Sequence, residues 1–409
     1  MTDRTEAGED GSPAWRVTLG TMLAVQGIMS LSFTFLSPIM PLYLPELGVE
    51  SDFHIYIWAG VLGSTASFVA AFASPLWGRM ADRYGRKLMV LRSAFAISLC
   101  TVLMGLVANV WQLLAARALM GVFAGFSAAS VVLIASQVPQ RRLASSLGLM
   151  STAQLVGSLM GPVIGGGLAD LTGSFRLPFL VAGAMMMLAF VLAWWLVPET
   201  FSKPEARKGQ PGIVASFRHL VARPGMIALV VVLLLTQFAT MSVQPVVTLY
   251  VQDIVGDRPD LATLAGIALS VTGLAGIFAV PLLSRAAERF GEKQVIVVAL
   301  AGAALMTAPQ AFSHTYLVFV AERFGLGLFI GSIVPVTNAL IGRLTPPEER
   351  GFTYGMTSSA YFLGNSLGPV SGGTVAAFIG LPWVFVLTTM LLLAGLAWVA
   401  LAVPGRRPP

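Results

Sequence analysis

The sequence predicts an all-α membrane protein: twelve transmembrane helices in two six-helix bundles related by an internal repeat. Three observations carry this expectation. The 409 residues are 56% hydrophobic and only 11% charged, which is too little polar surface for a water-soluble chain of this length. Apolar runs of about 20 residues, enough to cross a bilayer, recur from end to end. The second half also repeats the loop and glycine pattern of the first at a nearly constant offset.

Residues 1–16 read as a cytoplasmic segment. Met1 to Pro13 are polar and mostly acidic, and the apolar run after them lacks a small-residue cleavage site, so it is expected to stay as the first helix. The first bundle, residues 17–198, contains spans at Val17 to Leu44, Ile55 to Trp77, Leu88 to Val107, Trp111 to Ser136, Leu143 to Leu168 and Leu177 to Val197. Residues 199–223, flanked by Pro198 and carrying Pro204, Pro211 and several basic residues, form the only long internal polar stretch and are expected to be the cytoplasmic linker between bundles. The second bundle, residues 224–403, has spans at Met226 to Val251, Leu261 to Leu283, Val295 to Phe312, Tyr316 to Ile341, Phe352 to Phe378 and Pro382 to Val403, and residues 404–409 are a cytoplasmic tail.

Charge sets the orientation. With both termini in the cytoplasm, Lys and Arg residues gather on cytoplasmic segments, leaving Arg176 and Arg258 on outer loops and Arg117 and Arg323 inside spans. The net charge of +6 is therefore topological, and no nucleic-acid partner is expected. Cys100 is the only cysteine, which excludes an intrachain disulfide, a cysteine-based metal tetrad and a C-x-x-C pair. His54, His219 and His314 lack metal-ligand spacing, and no glycine cluster forms a Walker loop. The chain is expected to be a non-enzyme without metal or cofactor, whose partners are the bilayer, protons and a small-molecule substrate, and to work as a monomer.

The repeat is specific. The loop PLWGRMADRYGRK from Pro75 aligns with PLLSRAAERFGEK from Pro281, with Pro75/Pro281, Arg79/Arg285, Arg83/Arg289, Gly85/Gly291 and Lys87/Lys293 among its identities. The same offset pairs Arg117 with Arg323, Gly121 with Gly327 and Gly125 with Gly331. One residue more pairs Gly157, Gly161, Pro162, Gly165 and Gly166 with Gly364, Gly368, Pro369, Gly372 and Gly373. Parallel six-helix repeats of this kind point to a rocking transporter with its site between the halves.

Three stretches resemble signatures of the major facilitator superfamily, and within it the chain is similar to the twelve-span drug–proton antiporters. The loop from Gly78 through Asp82, Arg83, Gly85, Arg86 and Lys87 resembles the family's gating loop, which implies that Asp82 pairs with nearby Arg and with the start of span eleven. Arg117, with Gly121 and Gly125, resembles the span-four motif associated with proton movement. The run Gly157, Gly161, Pro162, Gly165, Gly166 matches the antiporter motif of span five; its four-residue spacing puts three glycines on one face, and the resemblance implies that this face meets span eight. Leu31 to Pro41 is similar to the first-span motif of drug exporters, with Ser32 in place of Gly. The resemblance implies the major facilitator fold, in a bacterial inner membrane, and proton-coupled efflux of small amphipathic compounds by alternating access. An exporter of one defined metabolite (a sugar, siderophore or self-made antibiotic) and an uncoupled facilitative uniporter remain the alternatives.

Differences between the halves single out further residues. They are Asp82/Glu288, Arg86/Glu292 and Ala116/Glu322. Glu322 is an extra intramembrane carboxylate beside Arg323, and burial of a carboxyl favours proton uptake. It is the expected proton-coupling acid, modulated by Arg117 or Arg323. Candidate cavity residues are Gln26 and Phe33 in span one, Gln154 in five, Gln237 and Gln244 in seven, Asn338 in ten, and Tyr361 and Asn365 in eleven; each is equally able to serve as helix-to-helix glue.

Overall fold

Among the described residues, twelve helical units follow one another in the predicted order. The computed structural model describes residues 14–198, 225–345 and 350–403. The expected linker 199–223, the tail 404–409 and most of segment 1–16 lie outside the described residues, as do the side chains of Pro75, Gly78, Arg79, residues 81–84, residues 350–352 and Tyr354. We label the units α1 (Ala14–Phe35), α2 (Asp52–Tyr84), α3 (Arg86–Leu106), α4 (Val110–Val122 continued by Phe126–Gln137), α5 (Gln140–Thr172) and α6 (Arg176–Leu196). The second bundle contributes α7 (Met226–Val255), α8 (Leu261–Phe290), α9 (Glu292–Thr307), α10 (Tyr316–Leu344), α11 (Arg350–Phe378) and α12 (Pro382–Ala402). Eleven of these units are long and apolar enough to cross a membrane; α11 is the exception, because polar residues such as Ser359, Tyr361, Asn365 and Ser366 interrupt it.

Packing is two-fold throughout. In the first bundle α1 lies against α5 and α6, α2 against α4, and α3 against α6; in the second, α7 lies against α11 and α12, α8 against α10, and α9 against α12. The bundles meet along two seams, α5 with α8 and α2 with α11. We call the end bearing the α2–α3 and α8–α9 turns the basic end, and the other the far end. Gly85 (φ 101°) and Gly291 (φ 96°) make those turns in nearly the same left-handed conformation, which only glycine adopts without strain. The next residues serve the bundles alike: Lys87 Nζ donates to Trp194 O at the end of α6 (3.0 Å), and Lys293 Nζ to Ala400 O (3.0 Å) and Val403 O (2.5 Å) at the end of α12. A cation there also complements the helix dipole.

The apolar cores show how the halves stand. One cluster joins first-bundle residues to far-end residues of the second bundle, among them Val247, Ala262, Phe319, Ala376 and Phe385. A separate cluster, including Leu229, Ile296, Ile333 and Val399, serves only the basic-end part of the second bundle. The halves therefore share one core at the far end.

Two expected spans are broken. The first, expected to run from Val17 to Leu44, stops at Phe35 and continues as a short helix, Ile39–Tyr43, and a turn, Pro45–Leu47, because Pro38, Pro41 and Pro45 remove amide donors. The fourth breaks at Gly125 (φ 109°). Exposed carbonyls are costly within a bilayer, and these are met by side chains: Trp77 Nε1 donates to Val122 O (2.6 Å), and Arg92 Nη2 to Phe123 O (3.4 Å) and Ala124 O (3.2 Å). The Arg92 guanidinium also lies 3.4 Å from the centre of the Trp77 ring, within cation–π range. Arg92 thus sits inside α3 and not with the topogenic loop charges. In the second bundle the matched residues are Val298 and Leu283, which cannot donate, and α10 runs unbroken.

Arg92→Met is expected to leave the Phe123 and Ala124 carbonyls unpaired within the bilayer and to cost about 1–3 kcal/mol, read as a fall in Tm of purified protein. Val298→Met, at the exposed matched position, should leave Tm nearly unchanged; equal losses would refute this account of the break.

Candidate functional site

The site is framed by contacts that admit no side chain. Gly157, Gly161 and Gly165 lie against α1, where an added Cβ would meet the carbonyl of Gly27, the hydroxyl of Thr34 and the carbonyl of Phe35. Gly166, one residue round the helix, faces α8 instead and meets Ala262 O, while Gly266 of α8 lies against Pro162 O. The span-five motif is therefore divided: its glycine face packs within its own bundle, and Pro162 and Gly166 make the seam. The second bundle reproduces the division. Gly364, Gly368 and Gly372 lie against Gln237, Met241 and Ser242 of α7, whereas Gly373 faces Tyr56 O and Pro369 faces Gly60 and Gly63 of α2.

Both glycine seams lie toward the far end. There Phe53 and Phe378 also touch edge to face across α2 and α11, with ring centres 5.1 Å apart. The far end of the molecule is closed.

Polar side chains are concentrated at mid-depth on either side. Gln26 Nε2 donates to Gln154 Oε1 (3.1 Å) and reaches Ser127 Oγ (3.5 Å), joining α1, α4 and α5. Gln237 Nε2 donates to Asn365 Oδ1 (2.7 Å), joining α7 and α11. These are the same helix pairs in the two bundles. Nearer the basic end, a cavity of about 260 Å³ lies among Leu233, Val334, Asn338, Thr357, Ser358, Tyr361 and Phe362. Its lining combines aromatic surface with neutral polar groups, and Asn338 Oδ1 is buried without a hydrogen-bond partner. Of the expected cavity residues, Gln26 joins Gln154, Gln237 joins Asn365, and Asn338 joins Tyr361. Phe33 is 53% exposed and Gln244 makes no hydrogen bond among the described residues, so neither is drawn into these clusters.

The intramembrane charges are dispersed. Glu322, two turns into α10 and half-buried, accepts from Ser313 Oγ in the preceding turn. Arg323 points elsewhere and donates from Nε to Ala268 O of α8 (2.9 Å). Arg117 has a buried Nε with no hydrogen-bond partner. No ion pair joins these residues among the described ones, and the neighbours Glu322 and Arg323 face different partners, as their adjacent positions on one helix dictate. In the gating loop, the side chains of Gly78, Asp82 and Arg83 lie outside the described residues; Arg86 opens α3, and Lys87 caps α6. Glu292, the counterpart of Arg86, pairs with Arg343 Nη1 at 2.6 Å and ties α9 to α10.

Sequence reasoning missed Asp170. It occupies the last turn of α5, and its carboxylate accepts from Ala262 N (3.2 Å), Thr263 N (2.7 Å) and Thr263 Oγ1 (2.5 Å) of α8. A polar residue at the end of a span reads as ordinary solvation. The available signal was that Ala377, its match in the repeat, carries no charge.

Comparisons with known proteins agree with this geometry. The multidrug resistance protein MdtG of Yersinia enterocolitica is 36% identical over 88% of this chain and 87% of its own length, and that of Proteus mirabilis is 35% identical over 92% and 93%. Among solved structures, a bacterial homolog of the human lysosomal transporter Spinster, in an inward-facing and occupied conformation, superposes with a TM-score of 0.74 at 18% identity, covering 96% of this chain and 97% of that one. The nucleoside transporter NupG gives 0.73 at 12% identity, covering 93% and 98%. The family model described as Major Facilitator Superfamily matches residues 22–258 and 258–409. With both repeats matched and both glycine seams in place, the chain is a multi-pass membrane protein that belongs to the Major Facilitator Superfamily.

Proposed function

We propose that this protein exports small amphipathic compounds, drugs among them, across a bacterial inner membrane by proton-coupled alternating access, with its basic end and both termini in the cytoplasm. The observation that carries the reading is the pair of two-fold related glycine seams closed at the far end. Glycine at these seams lets the backbones of the two bundles approach closely, a geometry suited to whole-bundle pivoting. With the far end outside, the described state is closed to the exterior. The substrate class is supported by the MdtG relatives and by a lining that mixes aromatic surface with uncharged amides and hydroxyls. Such walls accept varied amphipathic shapes. The route lies within one chain, so a monomer suffices.

Glu322 is the proton-coupling acid in this reading. It is the carboxylate that the matched helix lacks, it is half-buried, and its partner is a neutral hydroxyl and not a cation. Its helix is tied to the seam: Tyr316 OH donates to Leu264 O of α8 (2.8 Å) and Arg323 to Ala268 O. A change of charge at Glu322 thereby bears on the helix that closes the far end. Arg117, whose buried Nε has no hydrogen-bond partner among the described residues, modulates the field and the substrate contact, and Arg323 is the structural anchor. One proton moving inward contributes about 2.3 kcal/mol per 100 mV and about 1.4 kcal/mol per pH unit. Together these sustain a substrate gradient of several hundredfold.

In inverted vesicles, Glu322→Gln should abolish proton-driven drug uptake while leaving drug binding within about threefold of the parent; full drug–proton exchange by this variant would rule the role out. Gly166→Leu should prevent far-end closure and cut transport at least tenfold, whereas Gly148→Leu, at a glycine with open space around it, should transport normally. Normal transport by Gly166→Leu would remove the seam from the mechanism.

A further inference from the structure

The N-terminus of α8 is capped from the wrong bundle. The residue before its first turn, Asp260, is of the type that caps helices, yet its side chain makes no cap bond. Arg258 holds it instead, donating from Nε (2.9 Å) and Nη2 (3.0 Å) to the two carboxylate oxygens. This exposed pairing also draws the Asp260 carboxyl below the usual carboxylate range. With its own cap diverted, α8 offers the second and third amides of its first turn to Asp170, which crosses from α5 to take both, together with the Thr263 hydroxyl. A charged acceptor shared by three donors is a strong arrangement, reinforced by the positive end of the helix dipole.

Among the described residues the other seam has no charged cap of this kind. There Ser64 Oγ of α2 accepts a single bond from Val370 N of α11 (3.0 Å), and the residue matching Asp170 is Ala377. Conversely Ser270, which matches Ser64, has a buried hydroxyl without a partner. The two seams are alike in glycine packing and unlike in how they are latched.

We propose that Asp170 is a positioning residue that sets the transporter's conformational balance: by capping α8 from the opposite bundle, it holds the α5/α8 seam shut at the far end. The proposal rests on the alternating-access reading above. It needs no particular drug and no particular coupling acid. Arg258 belongs to the same device, because it keeps Asp260 from taking the cap back and freeing α8 from α5.

The test uses the full-length protein in lipid nanodiscs, with Cys100→Ser and spin labels at the exposed positions Leu171 and Pro259. Inter-label distances are measured without drug or proton gradient. Asp170→Asn should raise the ratio of far-open to far-closed populations about tenfold. Asp170→Glu should stay mostly closed. Arg258→Ala, which leaves Asp170 intact, should shift the ratio in the same direction by a smaller factor, and it carries the test if Asp170→Asn does not fold. Unchanged populations in both Asp170→Asn and Arg258→Ala overturn the proposal, and so does a Tm loss in Asp170→Asn with the distances unmoved, since that is what a merely structural cap would give. Because no drug is present, a misassigned substrate leaves this readout intact.

Discussion

Everything in this molecule depends on how closely helix backbones approach where glycine leaves room. A bilayer supplies no hydrophobic force between helices, so association comes from packing and from hydrogen bonds that lipid cannot offer. Gly157, Gly161 and Gly165 let α1 lie against α5, and Gly166 and Gly266 let α5 lie against α8. The same geometry recurs one repeat later with α7, α11 and α2. Close contacts of this kind give each bundle a rigid interior and line the seams with glycine, crossed at the far end by side chains such as Asp170 and Phe53. That combination, stiff halves with glycine-lined joints, is what a rocking mechanism requires.

The two halves differ where the repeat is broken. The symmetric parts are structural: the Gly85 and Gly291 turns, the Lys87 and Lys293 caps, and the glycine faces. The asymmetric parts carry charge or interrupt a helix. Arg92 and Trp77 hold the break in α4 that α10 lacks, Glu322 stands where the first bundle has Ala116, and Asp170 stands where the second has Ala377. The repeat axis runs along the membrane normal, so perfect symmetry would leave the two ends distinct and make only the two seams identical. These substitutions make the two seams differ in how they are bonded.

Much of the fold was legible in the sequence because hydrophobic length and repeat spacing are set by bilayer thickness and helix pitch. The breaks at Pro38 and Gly125 were not, since a continuous apolar run hides a kink whose carbonyls are rescued by distant side chains such as Arg92. At the site, four-residue spacing revealed a glycine face but not which neighbour it meets: three glycines turned out to serve α1, and only Gly166 and Pro162 reach α8. Comparison of the halves found Glu322, whereas its partner Ser313 and the separate direction of Arg323 depend on side-chain placement. Asp170 stayed hidden because a helix cap supplied from another bundle has no sequence spacing to read.

The central claim is that the far end must open and close for each molecule transported. Phe53 of α2 and Phe378 of α11 touch across that end, and replacing both with cysteine in a Cys100→Ser background places two thiols at the joint. Oxidation to the cross-linked form should stop drug efflux in reconstituted vesicles, and reduction should restore it. Undiminished efflux by fully cross-linked protein would contradict the account.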